Sequence, residues 1–158
     1  MRQVHSVPQS VAGHTVRRIA HPINFSNVSE SGLSWAIHLA EEYQAELLLL
    51  HVVPPPTPIF ELESPMKSEA EHALSVLLAK LEAAGLKARG FLLTGKSSTE
   101  SQIVRAARLE HVDLIIMGTR GRPGISRLFV GSLASRVIDR ANCPVLVVPT
   151  RSPRAEHP

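Results

Sequence analysis

Glycine and arginine are concentrated between Met117 and Ser132, where the sequence reads MGTRGRPGISRLFVGS. This stretch follows an apolar run and precedes a segment with helical periodicity. Glycine lets a backbone approach a ligand closely, and the free amides and dipole of a helix N-terminus favour a phosphate. The stretch therefore suggests a phosphate site, with Gly131 and Ser132 at the start of the helix. The alternative is an ordinary loop whose glycines make turns and whose arginines are solvated.

A second phosphate pattern occurs upstream, where residues 90–97 read GFLLTGKS and satisfy the P-loop pattern G-x4-G-K-[ST]. A P-loop needs a flexible loop between strand and helix, whereas residues 91–93 (Phe-Leu-Leu) are expected to be the strand itself. Ser97 and Glu100 predict a capping box that starts the next helix. Asp113 opens its predicted strand, so it does not supply the metal-binding carboxylate of a Walker-B strand. We interpret the segment as strand, turn and helix cap.

Other reactive side chains show no catalytic or metal-binding spacing. The eight histidines are scattered and form no H-E-x-x-H motif, so we expect no metal site. Cys143 is the single cysteine and precedes Pro144, which favours a small buried apolar residue over a nucleophile. Ser132 lies outside any G-x-S-x-G elbow, and a phosphate-binding hydroxyl fits it better. We assign no catalytic residue.

Five short apolar runs alternate with four amphipathic helical segments. The runs are continuously apolar, as in LLLL at residues 47–50, which predicts strands of a parallel sheet covered on both faces. Ser29 is a candidate N-cap of the first helix, and Gly85 can end the second. The alternation predicts an α/β fold with one doubly wound domain, a five-stranded parallel sheet with helices on both faces. The predicted strands are residues 16–23, 46–53, 89–94, 112–117 and 144–148.

Composition limits the classes of protein that remain. The chain has 158 residues, of which 44% are hydrophobic and 20% charged, as expected of one globular domain. A net charge of +3 with only 4% aromatic residues, and no basic stripe, argues against nucleic-acid binding. Apolar runs are too short for a membrane span and no signal peptide is visible, so we expect a cytoplasmic protein. We divide the chain into flexible tails at 1–14 and 151–158 and a folded domain at 15–150.

The spacing Gly118-x2-Gly121-x9-Gly131-Ser132 resembles the nucleotide-binding signature of the universal stress protein family. The segments PINFS at residues 22–26, LHVV at 50–53 and NCPVLVV at 142–148 are similar to that family too, and the resemblance extends over residues 16–149. It implies the strand order 3-2-1-4-5 and a homodimer formed through the last strand, from Pro144 to Val148. It also implies binding of ATP or a related adenine nucleotide.

The resemblance further implies a set of ligand contacts. Pro22, Asn24, Val52 and Met117 would border adenine and ribose, while Gly118, Gly121, Gly131, Ser132 and the amides of Leu133 and Ala134 would hold phosphates. Val52 and Met117 are explained almost equally well as core residues. Asn24 stands where family members that bind ATP commonly carry an acidic residue, and an amide offers no negative charge to Mg²⁺ or to an attacking water.

We therefore expect a sensor or regulatory module of the stress response that binds an adenine nucleotide and acts with an unidentified regulatory protein partner. Two alternatives remain open. The first is a slow ATP hydrolase or phosphotransferase that uses the same pocket, and the second is a protein-interaction module that binds no nucleotide.

Overall fold

A computed structural model describes residues 13, 15–53, 65–120 and 131–150. Strands and helices alternate along the chain, as predicted. The strands are β1 (Arg18–Pro22), β2 (Glu46–Val53), β3 (Ala88–Thr94), β4 (Leu114–Thr119) and β5 (Val145–Pro149). The helices are α1 (Asn27–Tyr43), α2 (Pro65–Ala83), α3 (Thr99–Leu109) and α4 (Ser132–Arg140).

The five strands form one parallel sheet in the order β3-β2-β1-β4-β5, which confirms the predicted fold class and strand order. Alternate residues of β2 enter the two hydrophobic cores on opposite faces of the sheet. Leu47 and Leu49 pack with residues of α1 and α2, whereas Leu48 and Leu50 pack with residues of α3 and α4. None of these four leucines is more than 1% exposed. Burial on both faces is the physical reason for the uninterrupted apolar run.

The predicted bounds of β4 were wrong by two residues at each end. The strand begins at Leu114. Asp113 precedes the strand, and its carboxylate accepts hydrogen bonds from the backbone N–H groups of Arg17 and Arg18 at 2.8 and 2.9 Å. At the other end, Gly118 and Thr119 belong to the strand and pair in register with β5. The glycine expected in the loop therefore lies inside the sheet.

Two predicted helix starts were also wrong. Ser29 is not an N-cap: α1 begins at Asn27 after Ser26, and the buried Ser29 hydroxyl donates to the Ser26 carbonyl at 2.8 Å. The capping box at Ser97 does not form, because α3 begins after Ser98. Gly85 does follow the end of α2, with a φ of +87°.

Candidate functional site

The sheet opens between β1 and β4. These strands pair only at Ile19 with Leu114 and Ala20 with Ile115, and then separate. At the next position His21 Nδ1 lies 2.8 Å from the Ile116 carbonyl oxygen, a side-chain bond at the point where the backbone pairing ends. Because a carbonyl only accepts, Nδ1 must carry the proton. This separation is the topological switch point of a doubly wound sheet, where ligands of such folds bind.

A cleft of about 610 Å³ lies at this point, within the size range of small-molecule sites. Its walls come from the carboxyl ends of β1, β2 and β4 and from the first turns of α1, α3 and α4. The lining residues are Pro22, Ile23, Asn24, Val28, Ser29, Leu50, Val52, Thr99, Ile103, Met117, Gly118, Thr119, Arg120, Gly131, Ser132, Leu133 and Ala134.

Nine of the ten residues predicted to contact the ligand line this one cleft. They are Pro22, Asn24, Val52, Met117, Gly118, Gly131, Ser132, Leu133 and Ala134. The tenth, Gly121, lies outside the described residues. Met117 is only 4% exposed, so it contributes to the core as well as to the cleft wall. The arrangement brings the predicted residues together, and their contact with a ligand stays a prediction.

The sequence interpretation missed the parts of α1 and α3 that reach the cleft. Val28 and Ser29 lie in the first turn of α1, and Thr99 is the first residue of α3. In a parallel sheet, each helix that follows a strand begins at the carboxyl edge, so the N-termini of α1, α3 and α4 converge there. Three positive helix-dipole ends at one cleft favour an anionic ligand. The alternation of elements already contained this signal.

The side-chain charge of the cleft is positive, like the helix-dipole ends, and it also favours an anion. Arg120 is the single charged side chain among its described lining residues, and no carboxylate is among them. Glu100, in the first turn of α3, is not part of the lining and instead faces Arg136 and Arg140 of α4 at 3.5 and 3.6 Å. Hydrogen bonds from its own backbone and from Ser98, together with the two arginines, keep the pKa of Glu100 below its usual value.

The first turn of α4, which lines the cleft, has backbone amides without an acceptor within the helix. Gly131 is the N-cap, and Ser135 is the residue whose N–H donates to the Gly131 carbonyl at 2.9 Å. The N–H groups of Ser132, Leu133 and Ala134 precede that bond and have no acceptor within the helix. All three residues line the cleft. They form a compact group of donors suited to phosphate oxygens.

Gly118 has a packing role that does not depend on any ligand. A Cβ on Gly118 would collide with the backbone carbonyl of Val28 in α1. On the helix side, a Cβ on Gly32 would lie 2.7 Å from the Gly118 nitrogen and 2.8 Å from His21 Cε1. The α1 backbone therefore rests directly on the end of β4, and both glycines are needed for that contact.

Asn24 makes a turn that leads into α1. Its Oδ1 accepts the backbone N–H of Ser26 at 3.1 Å and the Ser26 hydroxyl at 2.6 Å. Since an N–H can only donate, the contacted atom must be the oxygen, which defines the orientation of the amide. The side-chain Nδ2 is then the atom that remains to meet a ligand, and it is a donor.

Other groups give no second site. No cluster of three or more metal-ligating side chains occurs in the described ranges. Burial, together with the nearby Asp113 carboxylate, raises the pKa of the half-buried Cys143 thiol and keeps it protonated near neutral pH. No helix among the residues described has the length and apolar character needed to cross a membrane.

Comparison with known proteins identifies the class. Residues 15–149 match the family described as the universal stress protein family, and the chain belongs to that family. It is 36% identical over 148 residues to the universal stress protein MJ0531 of Methanocaldococcus jannaschii, with 89% of this chain and 85% of that protein covered.

Two solved structures show the same fold. Protein MJ0577 superposes with a TM-score of 0.71 at 28% identity, covering 87% of this chain and 99% of that one. The universal stress protein from Archaeoglobus fulgidus in complex with dAMP superposes with a TM-score of 0.63 at 21% identity, covering 86% and 99%. At that identity the second likeness concerns the fold alone.

Proposed function

We propose that this chain binds ATP or a related adenine nucleotide in the cleft between β1 and β4, as a sensor or regulatory module of the stress response. The observation that carries the proposal is the convergence of three helix N-termini on this cleft. At one of them, the amides of residues 132–134 have no acceptor within the helix. No carboxylate is among the described lining residues. Such a site favours an anion held by neutral donors.

The cleft also has apolar lining residues, which suit a base. They are Leu50, Val52, Ile103 and Met117, of which Val52 is the most exposed. A ligand with an apolar planar part and a strongly anionic part fits a lining of this kind, and a nucleotide is such a ligand. The Archaeoglobus fulgidus protein of the same fold was solved with dAMP, which agrees with this ligand class. Of the signature glycines, Gly131 is the N-cap of the helix that supplies the amides of residues 132–134, and Gly118 lines the same cleft.

Binding can be tested by calorimetry of the purified chain with ATP, ADP, AMP and cAMP, each with and without Mg²⁺. Mass spectrometry of freshly purified protein would show any nucleotide carried along. We expect saturable binding of at least one adenine nucleotide. Absence of binding at millimolar concentration would contradict the proposal and favour the alternative of a nucleotide-free interaction module.

We also propose that binding needs no Mg²⁺ and leads to negligible hydrolysis. Phosphoryl transfer uses a carboxylate-held metal and a positioned nucleophile, and Asn24 offers an amide donor where a carboxylate would be needed. Arg120 can offset phosphate charge, but equal stabilisation of ground and transition states does not raise turnover. A turnover near the roughly 10 s⁻¹ typical of enzymes would instead establish an ATP hydrolase or phosphotransferase.

Asn24→Asp provides a matched test of the metal proposal. The aspartate keeps an oxygen for both Ser26 donors and places a negative charge where Nδ2 was. We expect the wild type to bind nucleotide equally with and without Mg²⁺, and the variant to bind better with Mg²⁺ by a modest factor, about threefold. Strong Mg²⁺ dependence in the wild type would contradict the proposal.

A homodimer through the last strand is a further part of this proposal. Strand β5 is one edge of the described sheet, and Val145, Leu146 and Val147 are only partly buried. An open apolar edge strand pairs readily with another chain. Sedimentation should show a dimer at micromolar concentration, and a monomer alone would contradict it. A regulatory protein partner, which we also propose, would then bind elsewhere on the surface.

A further inference from the structure

We propose that Thr119 is a ligand-binding and positioning residue of the cleft, whose hydroxyl holds the amide of Gly131, the N-cap of α4, in place and donates its own proton to a ligand phosphate. This inference rests on the proposed nucleotide site and adds a contact that the glycine signature does not include. Thr119 is the last residue of β4, is 7% exposed and lines the cleft.

The hydrogen-bond pattern determines the direction of the hydroxyl. Thr119 Oγ1 lies 3.0 Å from the Gly131 nitrogen and accepts its N–H. A hydroxyl that accepts in this way still has one proton to donate. No described residue offers an acceptor to that proton. Because Thr119 lines the cleft, a ligand phosphate bound there can accept that proton.

The Thr119 backbone is anchored independently of the ligand. Its carbonyl oxygen accepts both the backbone N–H of Thr150 at 2.9 Å and the Thr150 hydroxyl at 2.8 Å. Thr119 also pairs in register with Pro149 of β5. The hydroxyl is therefore presented from a rigid strand end, which lowers the entropic cost of using it in binding.

The same bond changes the role of Gly131. Its amide is occupied by Thr119, so it is not available to a phosphate, and the available amides are those of Ser132, Leu133 and Ala134. A Cβ at position 131 would lie 2.9 Å from Thr119 Oγ1, so a larger residue there would displace that hydroxyl or the start of α4. Thr119 thus joins the three amides as a fourth donor and also sets the position of their helix.

Thr119→Val is the central test, because valine keeps the shape and removes the hydroxyl. Calorimetry should show about a tenfold loss of affinity for ATP and AMP, as expected for a lost hydrogen bond to a charged group. Affinity for adenosine, which has no phosphate, should change by less than about threefold. Thr119→Ser keeps the hydroxyl and should bind ATP within about threefold of wild type.

Thr94→Val is the matched control. Thr94 is also the last residue of a strand, β3, but it is exposed and outside the cleft, so its replacement should leave all affinities unchanged. Amide exchange at Gly131 provides a readout that needs no ligand: it should quicken in Thr119→Val and stay slow in Thr119→Ser.

The outcomes separate two failures. If wild type binds nucleotide but Thr119→Val binds ATP equally well, the inference is wrong and the proposed function stands. Equal losses for ATP and adenosine would assign Thr119 a structural role only and would also overturn the phosphate contact. If the wild type binds no nucleotide, the proposed function is wrong. Independently of any ligand, an unchanged amide-exchange rate at Gly131 in Thr119→Val would contradict the positioning role of Thr119.

Discussion

The two strand-to-helix connections that contain phosphate-like glycine patterns differ in what lies beside them. Strands β2 and β3 stay paired to the end of β3, where Val53 pairs with Thr94, so the upstream pattern borders continuous sheet. Gly90 of that pattern lies inside β3 against the side chains of Leu74 and Leu78, and Lys96 is exposed on the turn.

Beside the downstream pattern, β1 and β4 separate after two paired positions and leave room for a ligand. Gly118 is pressed against α1, and Gly131 begins a helix whose amides reach the cleft. The residue types in the two patterns are similar. What differs is the pairing of the neighbouring strand, which decides whether a glycine-rich connection borders a site or only ends a strand.

Replacing one glycine in each region should give the largest difference between them, measured as the loss in free energy of unfolding. Gly118→Ala should lower the free energy of unfolding by about 3 kcal/mol, because the new methyl group meets the rigid Val28 carbonyl of the backbone. Gly90→Ala should cost about 1 kcal/mol, since its contacts at 2.8 Å are the ends of leucine side chains that can rotate. Urea denaturation measures both values. Equal losses would mean that the tight packing at the cleft is not special.

Ligand affinity should separate the two regions next. Gly131→Val should weaken nucleotide binding more than tenfold, about 1.4 kcal/mol or more, because the branched side chain strikes Thr119 Oγ1 and displaces the α4 amides. Lys96→Ala is the control and should change affinity little, since Lys96 is outside the cleft. The reverse result in calorimetry would establish the P-loop interpretation.

Much of the fold was predictable because burial on both faces leaves a direct trace in sequence. The four leucines of β2 are an example, and both ends of that strand were predicted correctly. The end of β4 was predicted incorrectly. Gly118 and Thr119 are residue types typical of loops, but they belong to the strand because they pair with β5. Helix starts failed because each has more than one serine nearby, Ser26 and Ser29 at α1 and Ser97 and Ser98 at α3, and residue type alone does not choose between them.

The site was predictable where resemblance supplied a motif and unpredictable where side chains act through geometry. Nine of the predicted residues lie around one cleft. Thr119 lies between two signature glycines but at a position where the signature specifies no residue type, and Thr99 lies outside every motif. The Gly131 amide is a clear case: the motif suggests a phosphate contact, yet a threonine twelve residues earlier already occupies that amide. Such a bond depends on where two chain segments meet in space.

The smallest expected effect on stability at neutral pH concerns the hydrogen bond from His21 of β1 to the Ile116 carbonyl of β4, where the two strands separate. His21 is fully buried, its Nδ1 donates to the Ile116 carbonyl, and its Nε2 has no hydrogen-bond partner among the described residues. Burial lowers the pKa of His21 below its ordinary value of 6.5, although the bond to the carbonyl partly offsets the effect. The upstream region has no equivalent, since β2 and β3 stay paired by their backbones.

This difference predicts a pH dependence of stability. In the unfolded chain His21 takes up a proton near pH 6.5, whereas in the folded chain it stays neutral to lower pH. The unfolded state therefore binds more protons, and the contribution of His21 to the free energy of unfolding is present above pH 6.5 and falls as the pH drops below it, by at most about 1.4 kcal/mol per pH unit. His21→Asn keeps an N–H donor for the Ile116 carbonyl and removes the titration. Urea unfolding of both proteins between pH 7.5 and 5 should show a steeper loss for the wild type, and parallel curves would show that the buried histidine does not limit acid stability.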